Sequence, residues 1–90
     1  MQRLGDKVDI KGVGRLVTSH FVKRNGNVCL YQRDDGPYEV FVVQVAPARV
    51  VFGSDLPERE TYPGNEDFGS TAWCYTQYGN ARKKFDRLVG

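Results

Sequence analysis

The side chains with the most reactive chemistry in this 90-residue chain are one histidine and two cysteines. A catalytic nucleophile needs a neighbouring base and a third group that orients that base, so His20 with Cys29 or Cys74 is the pair to consider. His20 occupies an alternating position of a predicted strand, where a hydrogen-bonded structural histidine is the commoner outcome. The cysteines form no Cys-x-x-Cys pair, and one histidine does not complete a common zinc set with them. We therefore expect no enzyme activity, no metal site and two reduced thiols.

The acidic residues and the glycine-rich segment match ligand motifs only in part. Asp34 and Asp35 are typical of a turn, because an aspartate side chain bonds its own backbone there. The carboxylates of residues 58–67 lack the spacing of a calcium loop. Residues 11–15 are basic and glycine-rich, but they lack the Gly-Lys-Ser/Thr of a phosphate loop and the third glycine of a dinucleotide fingerprint. The sequence therefore predicts no bound cofactor.

Basic and aromatic residues together raise nucleic-acid binding as a hypothesis. Tyr31, Tyr38 and Tyr75 fall on predicted strands, and aromatic rings on small sheets stack on bases. The net charge is only +2, whereas DNA-binding proteins usually carry a strong excess of basic residues. A basic outer face is also the ordinary solvated side of a helix. The candidate nucleic-acid contacts are Lys23, Arg24, Arg82, Lys83, Lys84 and Arg87.

The small net charge conceals an uneven distribution along the chain. Residues 1–33 carry seven basic and two acidic groups, residues 34–69 two basic and eight acidic, and residues 70–90 four basic and one acidic. One interpretation is that the acidic middle neutralises the basic ends within the fold. The other is that the middle is a protein-contact surface, because interfaces combine aromatic anchors with complementary charge. The residues of that predicted acidic surface are Asp55, Glu58, Glu60, Tyr62, Glu66, Asp67 and Phe68.

Alternating apolar residues and turn signals predict a series of strands. The predicted strands cover residues 16–22, 28–33, 38–46, 48–52 and 71–76. Asn25-Gly26 fits a two-residue hairpin turn, and Asp35-Gly36 before Pro37 fits a second turn. Residues 53–69 contain two prolines and no clear period. We predict a long loop there, and loops of that length often carry function.

Apolar residues at helical spacing predict one helix at the C-terminus. Tyr78, Ala81, Phe85 and Leu88 form a single stripe. Thr76 is the predicted N-cap, and basic residues in the last turns favour the helix dipole. The predicted fold class is α+β, an antiparallel sheet of about four to five strands with this helix packed on one face.

Length and composition are those of a single globular domain. Ninety residues are too few for two ordinary domains, and 40% hydrophobic with 27% charged residues is near the globular norm. We predict one domain over residues 16–90, preceded by residues 1–15 as a flexible basic arm or a weak edge strand. No apolar run approaches the ~20 residues of a membrane span. The N-terminus also lacks the apolar core of a secretory signal, so we expect a cytoplasmic protein.

Several segments together resemble small uncharacterised proteins of bacteriophages and mobile elements. They are residues 27–31, 38–43, 62–69, 73–75 and 81–88, about two-thirds of the chain. The most specific part is the pattern Tyr-Pro-x-Asn-Glu-x-Phe-Gly, which precedes the tryptophan and the helix. The resemblance implies no enzyme activity, and such phage proteins often bind a host protein, with anti-CRISPR inhibitors as one class. The hairpin and the Ala-x-x-x-Phe helix are also similar to WGR domains, which bind nucleic acid, but the Trp-Gly-Arg signature is missing.

These observations favour a non-enzymatic protein-interaction module. The expected role is a phage-type modulator or inhibitor that binds a host protein complex through the acidic surface, in the host cytoplasm. The alternative is a small nucleic-acid-binding domain that uses the basic C-terminal helix and the N-terminal arm. The two hypotheses differ in their salt dependence, because contacts to phosphates weaken steeply as the salt concentration rises.

Overall fold

The computed structural model describes residues 3–12, 15–64 and 67–90 of the chain. Nine β-strands and one α-helix lie within these residues. The strands are β1 (Lys7–Gly12), β2 (Arg15–Asn25), β3 (Val28–Arg33), β4 (Tyr38–Val42), β5 (Gln44–Ala46), β6 (Arg49–Val51), β7 (Ser54–Leu56), β8 (Arg59–Thr61) and β9 (Ala72–Tyr75), and the helix is α1 (Tyr78–Val89).

Five of these strands form an antiparallel sheet in the order β1-β2-β3-β4-β9. Helix α1 packs on one face of this sheet, against β3, β4 and β9, which confirms the predicted α+β class. Strands β1 to β4 are neighbours both in sequence and in space, as antiparallel strands joined by short turns usually are. The set of five nevertheless differs from the prediction. Strand β1, from the N-terminal segment, belongs to the sheet, whereas residues 48–52 do not.

The β2–β3 hairpin turns one residue later than its sequence pattern predicts. Asn25 pairs with Val28, so the two turn residues are Gly26 and Asn27. Gly26 has a φ of 61°. A glycine with positive φ at the first of two turn positions is typical of a type II′ turn, whose twist matches that of the flanking strands. The glycine is therefore the residue that sets the turn.

Each face of the sheet has its own core, because successive side chains of a strand point to opposite faces. Val28, Leu30 and Val40 face α1 and pack against Ala81 and Phe85. The other face buries a second cluster, against which Leu4, Val8, Tyr62 and Phe68 pack. That cluster consists of Cys29, Tyr31, Phe41, Val43 and Ala72. Coverage on both sides explains why β3 and β4 are apolar at successive positions.

Helix α1 buries the middle of the predicted apolar stripe, whereas Tyr78 at its start is 41% exposed and Leu88 near its end is partly buried. Ala81 and Phe85 are the buried residues of the helix. The N-cap is Gln77 rather than the predicted Thr76, and no side-chain hydrogen bond caps this end. At the other end Gly90 has a φ of 100°, and its N–H donates to the carbonyl of Asp86, as in glycine-capped helices. Among the described residues, no helix combines the length and the apolar character that crossing a membrane requires.

The strand predicted over residues 38–46 is in fact two strands. The N–H of Val43 donates to the carbonyl of Asn27 at 2.7 Å, and the chain then leaves the main sheet. Strand β5 pairs with β8, and β6 pairs with β7 as a separate hairpin. The predicted loop over residues 53–69 therefore contains two strands. Sequence periodicity does not separate these cases, because a two-stranded ladder has the same two-residue period as a large sheet.

Candidate functional site

Glu60 belongs to the interior of the fold. Its side chain is 4% exposed, and its carboxylate accepts two hydrogen bonds of 2.7 Å from the Arg24 guanidinium. The N–H of Leu4 donates to the same carboxylate at 3.0 Å. These contacts, the Arg24 bonds first among them, lower the pKa of Glu60 to about 2. The structure therefore corrects the prediction that Glu60 contacts a partner protein and that Arg24 contacts nucleic acid, because the two side chains bind each other inside the fold. At this pair the acidic middle of the chain neutralises its basic N-terminal part.

Tyr62 and Phe68 face the sheet of their own chain. The Tyr62 ring centroid lies 4.8 Å from that of Phe41. Its hydroxyl donates to Glu39 at 2.7 Å and lies 2.8 Å from the Ser19 hydroxyl. Phe68 packs against the same buried cluster as Tyr62. The two rings tie residues 62–64 and 67–68 to the sheet, so they are poorly placed to anchor a partner.

The other predicted acidic contacts divide into three cases. Asp55 and Glu58 are exposed. The Asp67 carboxylate accepts a hydrogen bond of 2.9 Å from the N–H of Gly64, which stabilises a local turn. Glu66 lies outside the described residues. Of the predicted acidic surface, Asp55 and Glu58 are thus the described residues that remain exposed without a role in holding the fold.

The β6–β7 hairpin carries a fully exposed aromatic side chain. Phe52 is 103% exposed, and Val50 nearby is 67% exposed. The turn residues Phe52 and Gly53 have φ angles of 51° and 79°, which is typical of a type I′ turn, where asparagine and glycine are preferred. Val50 lies opposite Asp55 in the ladder. We call Val50, Phe52 and Asp55 the hairpin surface. The sequence analysis did not identify Phe52 as a binding residue, because it predicted this residue to end a strand.

Four of the six basic candidates lie together on α1, namely Arg82, Lys83, Lys84 and Arg87. We call these four basic residues the basic helix face. Three of them, Lys83, Lys84 and Arg87, line a shallow hollow of about 220 Å³ together with Tyr75 of β9. The Lys84 ammonium also lies 3.9 Å from the centroid of the Trp73 ring. Lys23 lies 5.1 Å from the Phe85 ring on the same side of the sheet. The basic candidates other than Arg24 thus share one side of the fold.

The structure does not assemble the histidine and cysteines into a catalytic pair. His20 pairs with Gln32, which places it on the α1 side of the sheet. Cys29 and Cys74 lie on the opposite face by the same alternation. Nε2 of His20 instead contacts the exposed carboxylate of Asp34. Burial raises the pKa of the Cys29 thiol to about 11 and also raises that of Cys74, which disfavours the reactive thiolate.

A pocket of about 470 Å³ lies between the sheet and the covering segment, by which we mean residues 62–64 and 67–68, on the face opposite α1. Glu39 lines this pocket although its residue surface is only 3% exposed. Sequence reasoning did not single out Glu39. The available signal was one acidic residue within the otherwise apolar run of β4, since a buried carboxylate needs a specific partner.

The described residues contain no group of three or more histidine, cysteine, aspartate or glutamate side chains that could hold a metal ion. Comparison with family models, curated proteins and solved structures returned no match for this chain. Three features could bind a ligand or a partner: the hairpin surface, the basic helix face and the pocket beside Glu39.

Proposed function

We propose that this protein is a non-enzymatic interaction module that binds a partner protein through the hairpin surface. The observation that carries the proposal is Phe52, a fully exposed aromatic side chain at a strained backbone position. A bacterial host complex is the proposed partner, and that choice rests on the resemblance to small phage proteins, which act as modulators or inhibitors.

Folding gains nothing from the ring of Phe52. A non-glycine residue in the left-handed region costs about 1–3 kcal/mol, and the fully exposed ring buries no area that would offset this cost. Contact with a partner would offset it, because aromatic side chains inserted into a pocket dominate the binding energy of many interfaces. Strain combined with exposure therefore favours a binding role over a structural one.

The neighbours of Phe52 indicate the chemistry of the partner. Val50 extends the apolar area beside it, and Asp55 lies opposite Val50 with Glu58 exposed shortly after. An apolar centre with acidic groups at its edge complements an apolar socket with a basic rim. The hairpin also lies outside the five-stranded sheet, so it presents these side chains away from the main core.

Phe52→Asn is expected to abolish capture of the partner without destabilising the fold. Asparagine suits the first position of a type I′ turn, so the free energy of unfolding should stay equal or rise by up to about 1 kcal/mol. The measurement is affinity capture from a bacterial extract with quantitative mass spectrometry, alongside urea denaturation of each variant. A protein recovered with the original chain and lost with Phe52→Asn supports the hairpin as the contact.

Leu16→Asn is the matched control for this experiment. Leu16 is 71% exposed and lies in β2, away from the hairpin. The control should recover the same proteins as the original chain. Equal recovery by the original chain and by Phe52→Asn would contradict the proposal, as would loss of capture with both variants.

A second candidate function is nucleic-acid binding at the basic helix face. The observation that favours it is the clustering of Lys83, Lys84 and Arg87 around a hollow lined by Tyr75. Phosphates would pair with the three cations, and a base would stack on the tyrosine ring. Lys84 already covers Trp73, so Tyr75 is the ring left for stacking.

This candidate predicts salt-dependent binding of single-stranded DNA or RNA. Three phosphate contacts correspond to a slope of about −2 in a plot of log affinity against log salt concentration. Fluorescence anisotropy with labelled oligonucleotides at low salt measures the slope. Combined Lys83→Ala, Lys84→Ala and Arg87→Ala should remove the binding, whereas Arg49→Ala, an exposed arginine on the hairpin, should leave it unchanged. Binding without salt dependence would contradict this function.

A further inference from the structure

The pocket opposite α1 has the size and the lining of a small-molecule site. Its volume of about 470 Å³ falls within the range of about 300–1,000 Å³ that is usual for ligand pockets. Apolar side chains from β1 and from the covering segment form part of its walls, namely Val8, Ile10, Pro63 and Phe68, and polar groups form the rest. An apolar lining of this kind accepts the hydrocarbon body of a ligand.

Glu39 gives the pocket a buried carboxylate. Its Oε1 accepts the hydroxyl hydrogen bond of Tyr62 at 2.7 Å, and that hydroxyl in turn lies 2.8 Å from the Ser19 hydroxyl. This arrangement fixes the carboxylate in place. Among the described residues, no lysine or arginine forms an ion pair with it. Burial is the main cause of a raised pKa for Glu39, so a cation would relieve an existing electrostatic cost.

The remaining charges at the pocket favour a cation over an anion. Glu39 and Arg33 are the charged side chains that face it. Asp9 lies between Val8 and Ile10 in β1, so its carboxylate is on the other face of the sheet, where it accepts a hydrogen bond from the Thr18 hydroxyl. The Arg33 guanidinium is already engaged by Asp35, with hydrogen bonds of 2.9 and 2.7 Å. A carboxylate ligand would compete with that bidentate pair and would also meet the Glu39 carboxylate. An ammonium ligand would instead meet the Glu39 carboxylate, which feels the charge of Arg33 but forms no ion pair with it among the described residues.

From this geometry we propose that the pocket binds a small organic cation, with its primary ammonium group on the Glu39 carboxylate and its apolar body against Val8, Ile10 and Phe68. The site is separate from the hairpin surface and does not depend on the proposed partner. The Glu39 carboxylate supplies charge recognition, and the apolar walls supply the area that excludes water from the ion pair.

Three probes of similar shape and different charge test the site. Phenethylamine carries an ammonium group, phenylacetate a carboxylate and 2-phenylethanol a neutral hydroxyl. Isothermal titration calorimetry and amide chemical-shift changes in NMR spectra measure their binding to the whole chain. Phenethylamine is expected to bind with saturation, 2-phenylethanol at least about tenfold more weakly because it lacks the charge-assisted bond, and phenylacetate not at all. Phenylacetate binding as tightly as phenethylamine, or no saturable binding of phenethylamine, would overturn the proposal.

The variant Glu39→Gln isolates the contribution of the carboxylate charge. Glutamine has nearly the same shape and still accepts the Tyr62 hydrogen bond, so circular dichroism should show a folded domain. The affinity for phenethylamine should fall by at least about tenfold. Glu58→Gln removes an exposed carboxylate elsewhere and should leave the affinity unchanged. Unchanged affinity in a folded Glu39→Gln variant would contradict the site.

Cys74 provides a second readout that needs no variant. It lines the pocket and is exposed, whereas Cys29 is 0% exposed. Alkylation by iodoacetamide, followed by mass spectrometry, should therefore modify Cys74 first. Saturating phenethylamine is expected to slow this modification, and the same concentration of phenylacetate is not. Equal alkylation rates with and without phenethylamine would place the ligand elsewhere and overturn the assignment, even if Glu39→Gln failed to fold.

Discussion

Phe85→Ala is expected to lower the free energy of unfolding by about 3–5 kcal/mol, the usual cost of truncating a buried aromatic side chain. Phe85 is 1% exposed and packs against Val28, Leu30 and Val40 of the sheet. Ala81 is the other buried residue of α1, so the phenyl ring is the largest side chain that the helix buries against the sheet. A loss of this size is a large part of the stability of a small domain. Urea denaturation followed by circular dichroism measures it.

Val89→Ala serves as the control on the same helix. Val89 is 40% exposed, and substitution of such a residue usually changes stability by less than about 0.5 kcal/mol. The contrast between the two variants tests which side of α1 faces the sheet. A loss below about 1 kcal/mol for Phe85→Ala would contradict the packing described here, because a cavity in a core costs more than this.

Glu60→Ala is expected to lower the free energy of unfolding by about 2–4 kcal/mol, because it leaves the Arg24 guanidinium without its partner in a largely buried position. Arg24 is 16% exposed in its side chain, so water recovers some of the loss. The substitution also removes the acceptor for the N–H of Leu4. Glu58→Ala, at an exposed position, is the control and should have little effect.

A second substitution separates the unpaired charge from the lost packing. Arg24→Met in the Glu60→Ala background should restore part of the stability, because it removes the uncompensated guanidinium and keeps the aliphatic chain. Stability that falls further in the double variant would contradict this account of the pair. The measurement is again urea denaturation of the single and double variants.

The same carboxylate makes this part of the stability dependent on pH. Folding lowers the pKa of Glu60 from the ordinary 4.5 to about 2, so folding favours the ionised form. The contribution is therefore complete above pH 4.5 and is lost as the pH falls through about 2. Glu60→Gln does not titrate, so its free energy of unfolding should decline less over this range. An equal decline in both proteins would show that Glu60 is not the titrating group.

Local sequence signals predicted the elements whose stability is local. The spacing of Ala81 and Phe85 predicted α1, and the turn signal at Asn25-Gly26 predicted residues 28–33 as the return strand β3 with its observed bounds. Gly26 predicted a tight turn, although the register was one residue off. Hydrophobic periods and turn residues depend on a few neighbouring positions, so the sequence alone contains the information that predicts these elements.

The same signals failed where pairing partners are distant. Residues 44–46 alternate like a continuation of β4, but they pair with β8. Strand β1 is the opposite case, because it pairs with its neighbour β2 and lies at the edge of the main sheet, one of the two alternatives predicted for residues 1–15. The choice between such partners depends on which faces are left uncovered, and that is a property of the assembled chain.

The candidate sites follow the same division. The exposed acidic residues Asp55 and Glu58 and the basic residues of α1 could be named from charge and helical period alone. Phe52 could not, because its significance comes from a backbone angle and from complete exposure. Glu39 became notable only when Tyr62 and the covering segment enclosed it.

The sequence by itself determined the fold class, the apolar stripe of the helix, and a charge distribution with basic ends and an acidic middle. Tertiary structure alone decided which of those charges cancel. Arg24 and Glu60 are 36 residues apart and form a buried pair, whereas Asp55, Lys83 and Arg87 remain exposed. The physical reason is that a charge interacts over a few ångströms of space, and folding rather than chain order sets those distances.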